Sequence, residues 1–103
     1  MADISLSAAQ VRCAQVTVAV PSITASGTAN VGDGIVAATA TVTGVAAGDI
    51  VIASPTAALP TNSVFVGAYV VAADTVTFEF SGRANLAVTG ANRTFNVQAY
   101  EKS

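Results

Sequence analysis

The chain predicts an all-β fold, an antiparallel β-sandwich of about seven or eight short strands, jelly-roll or immunoglobulin-like, with an N-terminal arm. Three observations predict it. Across residues 15–100, short Val/Ala/Thr/Phe segments alternate apolar with small polar residues, the period of a half-buried strand. Clusters of Gly, Pro, Asn and Asp stop these segments about every ten residues. No helical stretch long enough for a crossover between parallel strands intervenes.

Residues 1–14, MADISLSAAQVRCA, lack the alternation and read as an arm, with residues 15–103 as the sandwich domain. An extended arm is preferred over a short helix carrying Ile4, Ala8 and Val11 on one stripe, because so short a helix is marginal alone. Cys13 cannot close a disulfide within the chain and, among apolar neighbours, is expected to be a small buried side chain.

The first strand covers residues 15–20, with Val16, Val18 and Val20 on one face, and Pro21 ends it or marks an edge. Residues 22–28 continue as an extended edge, and NVGDG at 30–34 is a hairpin turn. In residues 35–43, Val36, Ala38, Ala40 and Val42 oppose Ala37, Thr39, Thr41 and Thr43. After the 44–49 connection, a strand at 50–53 runs into SPTAALPTNS. There Pro55 and Pro60 forbid a central strand, and Leu59 is expected to plug one end of the core.

The longest apolar segment, residues 64–71, reads as a central strand, with Gly67 permitting a bulge. A tight turn at 72–74 leads to residues 75–80, where Val76, Phe78 and Phe80 face the core and Thr75, Thr77 and Glu79 face out. Residues 84–88 form a weaker strand or loop. The last strand, 94–100, points Phe95, Val97 and Ala99 inward.

Composition bounds the chemistry. A chain of 103 residues supports one core. It contains no apolar stretch of transmembrane-helix length, and its six aromatics do not supply the girdles of a membrane barrel, so no membrane partner is expected. Residues 1–9 hold Asp3 and no Lys or Arg, unlike a secretory signal, which implies synthesis in a cytoplasm. Arg12, Arg83, Arg93 and Lys102 are scattered, so direct nucleic-acid binding is not expected.

With no His and one Cys, the sequence offers no positioned base for a nucleophilic Ser and poor support for a zinc site. Asp33, Asp49 and Asp74 fall in turns, where side-chain hydrogen bonds to the backbone explain them, and no calcium-loop spacing occurs. The expectation is no enzyme activity, no cofactor and no metal.

Only 10% of residues are charged, against the quarter or so expected of a soluble surface. Either the exterior is neutral and hydroxyl-rich, or other subunits cover part of it, and the second alternative predicts an oligomer. Candidate contact residues are Ile4 and Leu6 in the arm, together with Tyr69, Tyr100, Arg83 and Arg93. A Tyr buries area and keeps a polar tip, although both tyrosines also suit the edge of a core. The arginines flank the weak 84–92 loop, either facing acids on a neighbour or forming a solvated rim.

Five pieces in order, ATATVTG, GVAAGDIVIASP, AALPTNSVFVGAYV, AADTVTFEF and TGANRTFNVQAY, span residues 38–100. In that order they resemble a module of tailed-phage structural proteins, including capsid decoration (cement) proteins and the ends of head or tail fibres. SGRANLAVTGANR replaces the usual Asn-rich segment before the last strand, a departure that bears on that loop's function. The resemblance implies a β-sandwich virion protein on the capsid exterior, a homotrimer that binds the major capsid protein and stabilises the head. The alternative is a receptor- or carbohydrate-binding module at a fibre or tail tip, with Asn62, Asn85 and Asn92 reading sugar.

Overall fold

Period-two alternation along six segments produces six strands in the computed structural model, which describes residues 10–23, 35–83 and 86–101, the side chains of residues 10–12 excepted. They are β1 (Gln10–Val20), β2 (Val36–Thr41), β3 (Ile50–Pro55), β4 (Ser63–Ala72), β5 (Thr75–Gly82) and β6 (Ala91–Tyr100). Two antiparallel three-stranded sheets result, ordered β1-β6-β3 and β2-β5-β4. Their apolar faces pack together, with β1 beside β2 and β3 beside β4.

The core follows from the alternation. Val18, Val20, Phe95, Val97 and Ala99 of the first sheet meet Val70, Val76, Phe78 and Phe80 of the second. All four phenylalanines of the chain converge at the centre. The Phe95 ring lies 5.2 Å from both Phe65 and Phe78 and 5.9 Å from Phe80, in tilted or edge-on geometry. Burying a Phe stabilises a fold by about 1.5–3 kcal/mol, and each ring pair adds about 0.5–1.5 kcal/mol. These rings join the two central strands, β6 and β5.

Several expectations are corrected. The apolar segment around residues 64–71 is the edge strand β4, and β5 takes the centre. A run that is apolar on both faces normally signals burial on both, but here its outward half is exposed. The bulge expected at Gly67 is present as a register shift between Phe65 and Gly67. Cys13 is exposed. With Ala14, Val16, Val18 and Val20 on the inward side, period two sends residue 13 outward.

β1 begins at Gln10, inside the segment assigned to the arm; residues 1–9, including Ile4 and Leu6, lie outside the described residues. Seven or eight strands were expected and six are found among the described residues. Of the two further expected segments, 22–28 and 84–88, the described parts contribute a single bridge between Ile23 and Val88. The turn expected at 30–34, with Asp33, also lies outside the described residues.

The two ends of the molecule are closed by local hydrogen bonds. At one end, Gly44 N–H donates to Asp74 Oδ1 (2.8 Å) and Ala46 N–H to Asp49 Oδ2 (2.9 Å), the turn roles expected of both acids. At the other, Leu59 packs against the core, and the Gly90 N–H donates to Ser22 Oγ at 2.8 Å.

Gly90 has no room for a side chain, since a Cβ there would lie 2.4 Å from the Val20 carbonyl oxygen and 2.8 Å from the Ser22 nitrogen. Gly90→Ala is expected to destabilise by about 1–3 kcal/mol, as overpacking does. Gly67→Ala, whose Cβ would meet nothing within 4 Å, should stay within about 0.5 kcal/mol. Urea denaturation compares them; equal midpoints would contradict the close approach at Gly90.

Candidate functional site

Two surfaces stand out. The first is the side of the molecule formed by β3 (IVIASP) and β4 (SVFVGAYVVA), neither of which contains a charged residue. Their outward positions expose Ile50, Ile52, Val64, Val66, Tyr69 and Val71, six of the eight large apolar residues exposed among the described residues. Val71 is 65% exposed and Ile52 57%. The opposite side presents Gln15, Thr17 and Ala19 from β1 and Ala37, Thr39 and Thr41 from β2. Apolar exposure is therefore concentrated at the β3–β4 margin, with Ile50 and Ile52 on the outer face of one sheet and Val64, Val66, Tyr69 and Val71 on that of the other.

β4 is also an edge strand. Soluble proteins usually guard such edges with Lys, Pro, inward charges or bulges. Over its ten residues β4 has no Lys, Pro or charged residue; its guards are two register shifts, between Phe65 and Gly67 and between Tyr69 and Ala72, and a bond from Gly48 N–H to the Val70 carbonyl at 3.0 Å. On its outward face the Tyr69 hydroxyl donates to Glu79 Oε2 at 2.9 Å. That hydrogen bond, followed by desolvation and the carboxylate's charge, raises the phenol above its ordinary 10.0. Tyr69 thus presents a neutral ring with its polar tip engaged.

The second surface is the outward face of the β1-β6-β3 sheet. β6 pairs on both sides, so its main-chain groups are used and only side chains can recognise a ligand there. Register aligns Cys13, Gln98 and Ile52 in one row and Gln15, Asn96 and Ser54 in the next. Together with Ala14 and Val97 these residues line a shallow groove of about 520 Å³. Gln15 Nε2 donates to Asn96 Oδ1 at 3.0 Å. No carboxylate, ammonium or guanidinium lines the groove.

The residues singled out from the sequence do not converge. Tyr69 is exposed on β4, and Tyr100 is half-buried at the end of β6 in register with Ile50, on the other sheet. Arg83 follows β5, where its N–H donates to the Asn62 carbonyl at 2.7 Å. Arg93 is half-buried and works within the chain: Nε donates to the Ala58 carbonyl at 2.8 Å and an Nη to the Asn92 carbonyl at 2.9 Å. It straps the β3–β4 connection to β6. Among the described residues, no group of three or more His, Cys, Asp or Glu could hold a metal ion, and no helix is long and apolar enough to cross a membrane.

Sequence reasoning missed the exposed Ile50, Ile52, Val64, Val66 and Val71. For Val64, Val66 and Val71 the signal was the absence of any charged residue on the outward half of the 64–71 run. Comparison with protein families, curated proteins and solved structures finds no match. Function is therefore read from the two surfaces.

Proposed function

We propose that the chain is a capsid decoration (cement) protein of a tailed phage, a β-sandwich of jelly-roll or immunoglobulin-like type made in the host cytoplasm. It sits on the capsid exterior as a homotrimer and binds the major capsid protein, and its work is adhesive, with no catalytic step. One observation carries this reading: the uncharged β3–β4 side gathers most of the exposed large apolar residues along a strand edge that carries bulges but no charge. The order of the sequence pieces across residues 38–100, which resembles virion modules, supports it.

Each copy contributes modest area, and several linked copies on a symmetric lattice gain avidity from high effective concentration. In this reading residues 1–9, with Ile4 and Leu6, supply a second contact that reaches a neighbour. Light scattering at micromolar concentration is expected to give a mass near three chains, and the protein should pellet with expanded empty capsids. A monomer that leaves the capsids bare contradicts the proposal.

A carbohydrate-binding module at a fibre or tail tip is the second reading, favoured by the uncharged groove on the β1-β6-β3 sheet. Of the asparagines expected to read sugar, Asn85 lies outside the described residues, Asn92 is on β6, and Asn62 does not favour it. Asn62 spends its amide on the Ala87 carbonyl at 3.2 Å and holds a left-handed φ of 70°, a structural role.

A further inference from the structure

We infer that the groove on the outward face of the β1-β6-β3 sheet is a binding site for neutral oligosaccharides, read by the side-chain amides of Gln15, Asn96 and Gln98. The site shares Ile52 with the apolar β3–β4 side but otherwise lies on the face of the β1-β6-β3 sheet; it rests on the carbohydrate-binding reading above and not on the decoration reading, so its test needs no capsid. Three features of the groove select this chemistry.

The first is its hydrogen-bonding inventory. The Gln15–Asn96 bond orients both amides, using one Gln15 donor and one Asn96 acceptor. It leaves the Gln15 Oε1 acceptor and the Asn96 Nδ2 donors for a ligand. In the neighbouring positions, the Gln98 amide and the Ser54 hydroxyl make no hydrogen bond among the described residues. Donors and acceptors therefore alternate over a small area, which suits vicinal hydroxyls, each both donor and acceptor.

The second is the absence of charge. Phosphate or carboxylate ligands call for Arg or Lys, and cations for clustered acids; the groove lining has neither. The third is the pairing of β6 on both sides, which removes the main-chain groups that an added peptide strand would need. Ile52 supplies an apolar patch for the C–H face of a sugar ring. A volume of about 520 Å³ lies within the roughly 300–1,000 Å³ of small-molecule sites.

The test is a titration of the isotope-labelled full chain, followed by NMR, with maltohexaose, cellohexaose, chitohexaose and a galactan oligomer, each to about 10 mM, enough to populate a millimolar site. At least one is expected to shift the side-chain amide signals of Gln15, Asn96 and Gln98, with Asn96→Ala and Gln98→Ala each weakening binding about fivefold, the loss of one hydrogen bond. Oligogalacturonate, an acidic counterpart, should bind less tightly than the neutral oligomer that binds best. Silence from all four neutral probes overturns the inference. So do shifts confined to the residues around Asn62 and Asn92, or an acidic probe that binds as well as the neutral ones.

Discussion

Phe95→Ala is expected to cost about 3–5 kcal/mol, the range for emptying a buried aromatic site. Phe95 is fully buried on the central strand of one sheet, and its ring touches Phe65, Phe78 and Phe80 of the other. Removing it opens a cavity where the sheets meet, and the three remaining rings cannot collapse into it without moving β4 and β5. Single domains are stable by only about 5–15 kcal/mol, so much of the margin disappears. At about 4–8 °C per kcal/mol for a domain of this size, the melting temperature should fall by more than about 10 °C.

Asn96→Ala, one residue along and facing solvent, should change stability by about 0.5 kcal/mol or less. Thermal melts followed by circular dichroism compare the two variants. Similar melting points would mean that the ring cluster is not the core.

Under the proposed decoration role, Val66→Lys and Val71→Lys are each expected to weaken assembly sharply while leaving the fold intact. Both positions face outward on β4, at 50% and 65% exposure, so a lysine there displaces no core contact. Each places a charge on the proposed apolar contact surface and adds a charged guard to an edge that has bulges but no charge. Losing a hot-spot contact of about 2 kcal/mol weakens association roughly thirtyfold.

Thr17→Lys and Thr39→Lys, on the β1–β2 side, provide the matched control and should assemble as the parent does. Light scattering and capsid pelleting read both pairs. Wild-type behaviour of the β4 variants would remove the apolar edge from the interface.

The core was legible in the sequence because burial within a strand obeys a local rule. Val16, Val18 and Val20, then Val76, Phe78 and Phe80, then Phe95, Val97 and Ala99 all occupy the faces that period two assigns. Sheet position was not legible, because it depends on which strands meet. β4 carries the apolar run of a central strand yet lies at an edge, and nothing within ten residues encodes that.

Cys13 was misread for a related reason. Apolar neighbours suggested burial, but the strand extends back to Gln10, and its parity sends residue 13 out. The groove was hidden altogether: Gln15 and Asn96 bond across a separation of 81 residues, and only the pairing of β1 with β6 brings them together. The uncharged exterior noted from composition proves to be two different surfaces, an apolar strand edge and an amide-lined sheet face.

The most direct test of the proposed decoration role is a single-particle reconstruction of tailed-phage virions purified with this chain. The predicted result is density for three-copy clusters at fixed positions on the capsid exterior, with the β3–β4 side buried against neighbouring copies or the capsid protein. Density at the tail tip alone, a virion lacking the chain, or a β3–β4 side facing solvent would contradict it.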